Sequence, residues 1–156
     1  MKKFNISLVI LLILSSDILA NEISGFPKIT DGDTIKILNT RIRFHGVDAP
    51  EKKQTCVKNL KEYSCGKEAT AALIKKIDER IVLCKVQNKL DRYRRYIGVC
   101  FAGEINLNRW MVRNGYALAF RRYSKDYIKD ENYAKKNKLG LWSGTFVRPE
   151  KWRKLN

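Results

Sequence analysis

The chain has 156 residues, 44% of them hydrophobic, and its 32 Lys and Arg against 16 Asp and Glu give a formal net charge of +16. That length suits one compact domain, and so large a cationic excess draws polyanions through the field of the whole molecule. Nucleic acid is the commonest such partner and anionic lipid or polysaccharide its rival, so composition narrows the partner without naming the chemistry.

The first 20 residues have the layout of a secretory signal: Lys2 and Lys3, an apolar run from Ile6 to Leu14, then small and polar residues ending at Ala20, where cleavage is expected. The run is well short of the ~20 apolar residues a bilayer span needs. Losing this segment leaves residues 21–156 as one domain with a charge of +15. The expected destination is outside the cytoplasm, secreted or periplasmic. Cys56, Cys65, Cys84 and Cys100 then enter an oxidising compartment, where an even count reads as two disulfides. Three pairings are open. Cys56–Cys65, closing a short loop, and Cys84–Cys100, joining two apolar segments, are the expected set. The spacings do not form paired zinc ligands and His45 is the single histidine, which argues against zinc.

In chain order, "ISGFPKI", "TIKIL" and "RIRFHGV" read as three strands between Ile23 and Val47, with "TDGD" and "NT" as turns. Gly66 to Asp78 carries Ala69, Ala72, Leu73 and Ile77 at helical spacing. "RIVLCKVQ" and "RRYIGVCF" read as two more strands joined by the basic stretch "NKLDRYR". "INLNRWMVRNG" is a second helix ending near Gly115, "YALAF" a short apolar segment, and Asp126 to Lys138 a third helix stopping before Gly140. The tail "RPEKWRKLN" reads as basic and peripheral. Five strands with a helix between the third and fourth is the order of an OB-type barrel, so the expected fold is α+β: a five-stranded OB-fold barrel with about three helices.

The chemistry concentrates in "DGDTIKILNTRIRFHGVDAPE", where acids gather in a basic chain. Asp33 follows a turn and Asp48 ends a strand; two carboxylates with backbone carbonyls and waters suit a hard cation such as Ca²⁺. Taken singly, each reads as an ordinary turn or strand-end residue. Glu51 lies three residues after Asp48 across Pro50, which gives the segment a definite path, and a carboxylate beside a cation can orient or deprotonate water. Arg43 offers paired donors to phosphate and keeps its charge. Strict alternation puts Arg43 and Asp48 on opposite strand faces, so convergence requires a break near Gly46. Asp31 reads as a turn former or a group behind the ligands. In "DRYRRY", Arg92, Arg94 and Arg95 alternate with Tyr93 and Tyr96, a pattern that can pair with phosphates and stack on bases or simply form a solvated turn.

These residues resemble the thermonuclease, or staphylococcal nuclease-like, domain family. "DGDT", "RFHGVDAPE", "DRYRR", "NGYALAF" and "AKKNKLGLW" fall in that family's order and approximate spacing over nearly all of the mature chain. The resemblance implies an OB-fold nuclease that uses Ca²⁺ to hydrolyse DNA and RNA, leaving a 3′-phosphate and a 5′-hydroxyl. It makes Asp33, Asp48 and the backbone carbonyl of Ala49 the calcium ligands, Arg43, Glu51 and Arg95 the catalytic residues, and Arg92, Tyr93 and Tyr123 part of the nucleotide site. Ala49 stands where the family often has threonine, and Arg121 appears where one aromatic of the nucleotide cradle is usual. Expected partners are the nucleic-acid substrates alone, with the protein a monomer. Two rival readings are a catalytically silent nucleic-acid-binding module on the same barrel and a basic protein that binds envelope polyanions.

Overall fold

A computed structural model describes residues 21–156; the export signal expected over residues 1–20 lies outside the described residues. The β-branched, alternating segments become β1 (Asn21–Gly25), β2 (Pro27–Ile29), β3 (Thr34–Ile37), β4 (Thr40–Phe44), β8 (Val82–Leu90) and β9 (Tyr96–Ala102), which pair in the order β1-β8-β9-β4-β3-β2. The β4–β9 pair is parallel and the others antiparallel. β1 and β2 lie at opposite ends of this path yet are consecutive in the chain, separated only by Phe26. The sheet must therefore curl back on itself, giving an OB-like half-barrel.

The segment read as one strand, Ile23–Ile29, thus breaks at Phe26, which is exposed, ahead of Pro27, which has no N–H to give a ladder. The turn expected at "NT" sits one residue earlier: Ile37 pairs with Thr40 and Leu38 takes φ +52°. Short strands complete the set. β5 (Val47–Asp48) pairs with β11 (Leu118–Ala119), β10 (Ile105–Asn106) pairs with β9, and the loop between the first two cysteines contains a hairpin of β6 (Cys56–Lys58) and β7 (Lys61–Tyr63).

Helix α1 (Cys65–Ile77) buries Ala69, Leu73 and Ile77 on its inner face, as their spacing dictates. α2 (Leu107–Arg113) starts at Asn106, whose side chain accepts from the Arg109 N–H. α3 (Ile128–Lys136) and α4 (Pro149–Leu155) follow, with a 3-10 turn at Gly140–Ser143 between them. The α+β class holds, but five strands and about three helices undercount the described residues, which hold eleven strand segments and four α-helices. None of these helices is long and apolar enough to cross a membrane.

Ile35, Ile37, Ile42 and Phe44 from the sheet meet Leu73, Leu107 and Met111 from the helices in the barrel core, where full burial of each such side chain contributes ~1.5–3 kcal/mol. Disulfides join Cys56 to Cys65 and Cys84 to Cys100, the expected partners. Cys84 and Cys100 face each other directly across β8 and β9.

Candidate active site

The site grows from the end of the β3–β4 hairpin. Thr34 pairs with Arg43, so the preceding Asp33 lies beside the Arg43 guanidinium. Arg43 Nη1 donates to Asp33 Oδ1 at 2.7 Å, and the Thr34 hydroxyl donates to the same oxygen at 3.0 Å. Asp33 Oδ2 accepts from the Ala49 N–H at 2.9 Å, which ties the first acid to the segment carrying the second. Both Asp33 and Asp48 are buried. Taking a carboxylate out of water is unfavourable unless it finds such partners.

Gly46 supplies the break that convergence requires. Its φ is +67°, β4 ends at Phe44, and β5 restarts at Val47, so the alternation is reset between Arg43 and Asp48. Arg43 Nη2 then reaches the Val47 carbonyl at 3.3 Å and Asp48 Oδ1 at 3.4 Å. A side chain at Gly46 would meet Ser124 Cβ at 2.9 Å.

Glu51 lies on the turn after Pro50, and fully buried Gln54 organises that turn. The Gln54 side-chain oxygen accepts from the Glu51 N–H at 3.2 Å, while its amide donates to the Val147 carbonyl at 2.7 Å. Gly66 lets α1 begin hard against this turn: a Cβ there would lie 1.8 Å from the Glu51 carbonyl oxygen. Neither Gln54 nor Gly66 could be picked out by spacing or motif.

The tail is not peripheral. Arg153 of α4 places Nη2 2.7 Å from Asp48 Oδ1 and Nη1 2.9 Å from Glu51 Oε1, bridging the two acids, and the Glu150 N–H donates to Asp48 Oδ2 at 3.1 Å. Pro149 at the helix start was a readable signal that a helix begins here. Its destination, more than 100 residues back in the chain, was not.

Electrostatics follow from this crowding. Burial, then the neighbouring Asp33 charge and more weakly Glu51, push the Asp31 carboxyl up to about 7, against the lowering effect of the Asp33 N–H that it accepts. Burial also raises Asp48, with Arg153 and Arg43 opposing and Asp33 adding to the rise. The Arg153 guanidinium is desolvated, yet Asp48 and Glu51 more than offset this and raise its pKa. Asp33, Asp48 and the Ala49 carbonyl are hard oxygen donors of the kind Ca²⁺ takes, so the donor chemistry fits such an ion. Among the described residues no three His, Cys, Asp or Glu side chains form a ready cage. Waters or substrate oxygens would complete the shell.

Arg95 precedes β9, the strand that pairs with Arg43's β4, and is held by Asp91. Its Nε and Nη2 lie 2.9 and 2.8 Å from Asp91 Oδ2, and its guanidinium makes no ion pair with Asp33, Asp48 or Glu51 among the described residues. Asp91 also accepts from the Tyr93 and Arg95 N–H groups and so closes a tight loop. Burial works against its charge, but the Arg95 hydrogen bonds outweigh that and lower its pKa. Tyr93 is exposed with Arg92 at 4.7 Å and Arg95 at 5.1 Å from its ring. Tyr123, also exposed, packs edge-on against Phe120. Arg121 reaches inward to buried Glu131, with 2.5 Å between Nη2 and Oε2.

Buried carboxylates and an arginine thus meet at a strand break on an OB-like barrel. The chain belongs to the staphylococcal nuclease homologue family, whose model matches residues 41–144. It is 35% identical over 127 residues to the succinoglycan biosynthesis protein ExoI of Rhizobium meliloti (strain 1021), covering 79% of this chain and 66% of that protein. It is 32% identical over 158 residues to an uncharacterized endonuclease of Escherichia coli O157:H7, covering 93% and 94%. A micrococcal nuclease of Shigella flexneri is 31% identical over 147 residues, covering 83% and 79%.

Proposed function

We propose that this chain is an exported, calcium-dependent endonuclease that hydrolyses phosphodiester bonds of DNA and RNA to 3′-phosphate and 5′-hydroxyl ends. The observation that carries the reading is the meeting of Arg43 with both buried acids, Asp33 at 2.7 Å and Asp48 at 3.4 Å, next to the Glu51 turn. A basic protein gains nothing for polyanion binding by burying acids against an arginine, whereas hydrolysis needs both.

In this reading Asp33, Asp48 and the Ala49 carbonyl hold the cation, which when bound supplies Lewis-acid polarisation of the phosphate. Arg43 sets two N–H donors against the non-bridging oxygens, where negative charge concentrates as the phosphorus is attacked. Glu51 takes the proton from the attacking water as its oxygen bonds to phosphorus, the bond from phosphorus to the 5′ oxygen breaks, and that oxygen takes a proton from solvent to leave as the 5′-hydroxyl. Arg95 is the second phosphate arginine by family resemblance; Asp91 fixes the orientation of its guanidinium. Arg92, Tyr93 and Tyr123 present exposed charge and ring faces to the nucleotides. The two disulfides support an oxidising destination.

The deciding experiment digests plasmid and single-stranded DNA and RNA with the mature protein in calcium or in chelator, followed by end-group analysis. The expected result is cleavage in calcium alone, with 3′-phosphate ends. Binding without cleavage would favour the silent module.

A further inference from the structure

We infer that Arg153 is a further residue of this site and sets its cation affinity: its guanidinium and a divalent cation compete for Asp48, and cation binding releases α4. The inference rests on the assignment of Asp48 as a metal ligand under the proposed function.

The competition follows from counting lone pairs. Asp48 Oδ1 accepts from Arg153 at 2.7 Å and from Arg43 at 3.4 Å, and Oδ2 accepts from the Glu150 N–H at 3.1 Å. These donors fill both lone pairs of Oδ1 and one of the two on Oδ2, and a cation placed beside a guanidinium adds like-charge repulsion. A cation that takes Oδ1 must displace one of its two donors. Arg43 is held in β4 by Asp33 at 2.7 Å as well as by Asp48, so its position does not depend on the shared oxygen. Arg153 stands on a seven-residue helix whose one fully buried residue is Pro149.

A helix of that length is marginal by itself in water. Besides buried Pro149 and half-buried Trp152, what holds α4 in place is polar: Gln54 on the Val147 carbonyl, the Arg122–Glu150 pair, and above all Asp48 and Glu51 on Arg153 and the Glu150 N–H. Withdrawing Asp48 removes two of these contacts together. Release of Arg153 also frees Glu51 from the 2.9 Å ion pair that ties up its carboxylate. By linkage, whatever factor the cation costs α4 docking, α4 docking costs cation affinity. Arg153 therefore keeps the acids compensated when no cation is bound and gives way when one arrives.

The test uses the mature full chain and calcium ion alone, without substrate. Calorimetric titration compares wild type, Arg153→Gln and Asp48→Asn, and amide exchange follows residues 150–155 of the wild type with and without calcium. The expected result is calcium binding at least about fivefold tighter in Arg153→Gln, together with faster exchange across α4, the Glu150 amide included, when calcium is added. Because the exchange readout is made on wild type, it stands even if a variant misfolds. Unchanged affinity in Arg153→Gln, or unchanged or stronger α4 protection in calcium, overturns the competition. Calcium binding that Asp48→Asn leaves intact, or no calcium binding to wild type, overturns the metal assignment itself and the inference with it.

Discussion

Replacing Gly46 with alanine perturbs the strand break and little else. The φ of +67° lies in the left-handed region, where a Cβ costs roughly 1–2 kcal/mol. The added methyl would also sit 2.9 Å from Ser124 Cβ and 3.2 Å from Tyr127 Cε2, and Tyr127 is buried, so the neighbours must shift. Together these effects predict about 2–3 kcal/mol of destabilisation. For a domain of this size that lowers Tm by roughly 6–15 °C. A shift of Val47 and Asp48 relative to Arg43 by even ~1 Å also misaligns the reacting groups, for a loss on the order of 10² in turnover. Calorimetry gives the first number, and DNA cleavage at a temperature where the variant stays folded gives the second. Adding Ser124→Gly should relieve the contact with Ser124 but not the one with Tyr127 or the part due to φ. A Gly46→Ala protein with wild-type Tm and wild-type cleavage would refute the claim that this residue makes the site converge.

Glu131 is fully buried against Arg121 and Lys135; burial alone would raise its pKa, but those two partners lower it below the ordinary carboxylate value. A folded pKa below the unfolded one means stability that is present above the unfolded pKa of about 4.3 and lost as pH falls through the folded value. Urea unfolding should thus weaken on acidification below about pH 4.5, with a flatter acid limb in Glu131→Gln and a neutral-pH loss of about 3 kcal/mol. A variant with the wild-type acid limb would contradict this. Reducing both disulfides, which span 9 and 16 residues, should lower Tm, since loops of this size contribute ~2–4 kcal/mol when closed; an unchanged melt after full reduction would show otherwise. Tyr93→Ala and Tyr123→Ala should each weaken single-stranded DNA binding by roughly 5–100-fold in a fluorescence titration, while leaving the salt slope set by Lys and Arg nearly unchanged. A lowered slope with little loss of affinity would place these rings outside the nucleotide path.

Local signals were legible in the sequence because local physics produces them. The spacing of Ala69, Leu73 and Ile77 placed α1 within a residue of its observed bounds, and two apolar segments with facing cysteines became β8 and β9. Asp33, Arg43 and Asp48 could be grouped, and the need for a break at Gly46 stated, because strand alternation is strict enough to make the conflict visible. The break at Phe26 was hidden, since residue pattern does not say to which sheet edge a strand goes. The β6–β7 hairpin was missed because its exposed residues carry no alternation. The pair Asp91–Arg95 is legible as opposite charges four residues apart. Arg153 was out of reach for a different reason. Its contacts with Asp48 and Glu51 span 105 and 102 residues, and only tertiary packing, with Gln54 anchoring Val147, decides where α4 docks.

The central claim is that the acids and arginine around Gly46 perform hydrolysis rather than merely hold the fold. It is tested most directly by the single-turnover rate of DNA cleavage in saturating calcium for Glu51→Gln against wild type. Glu51 is part-exposed, so its replacement leaves the core intact. Loss of a general base predicts a rate lower by about 10²–10⁴ in a variant that stays folded at the assay temperature. Cleavage by the variant within a factor of two or so of wild type would contradict the account.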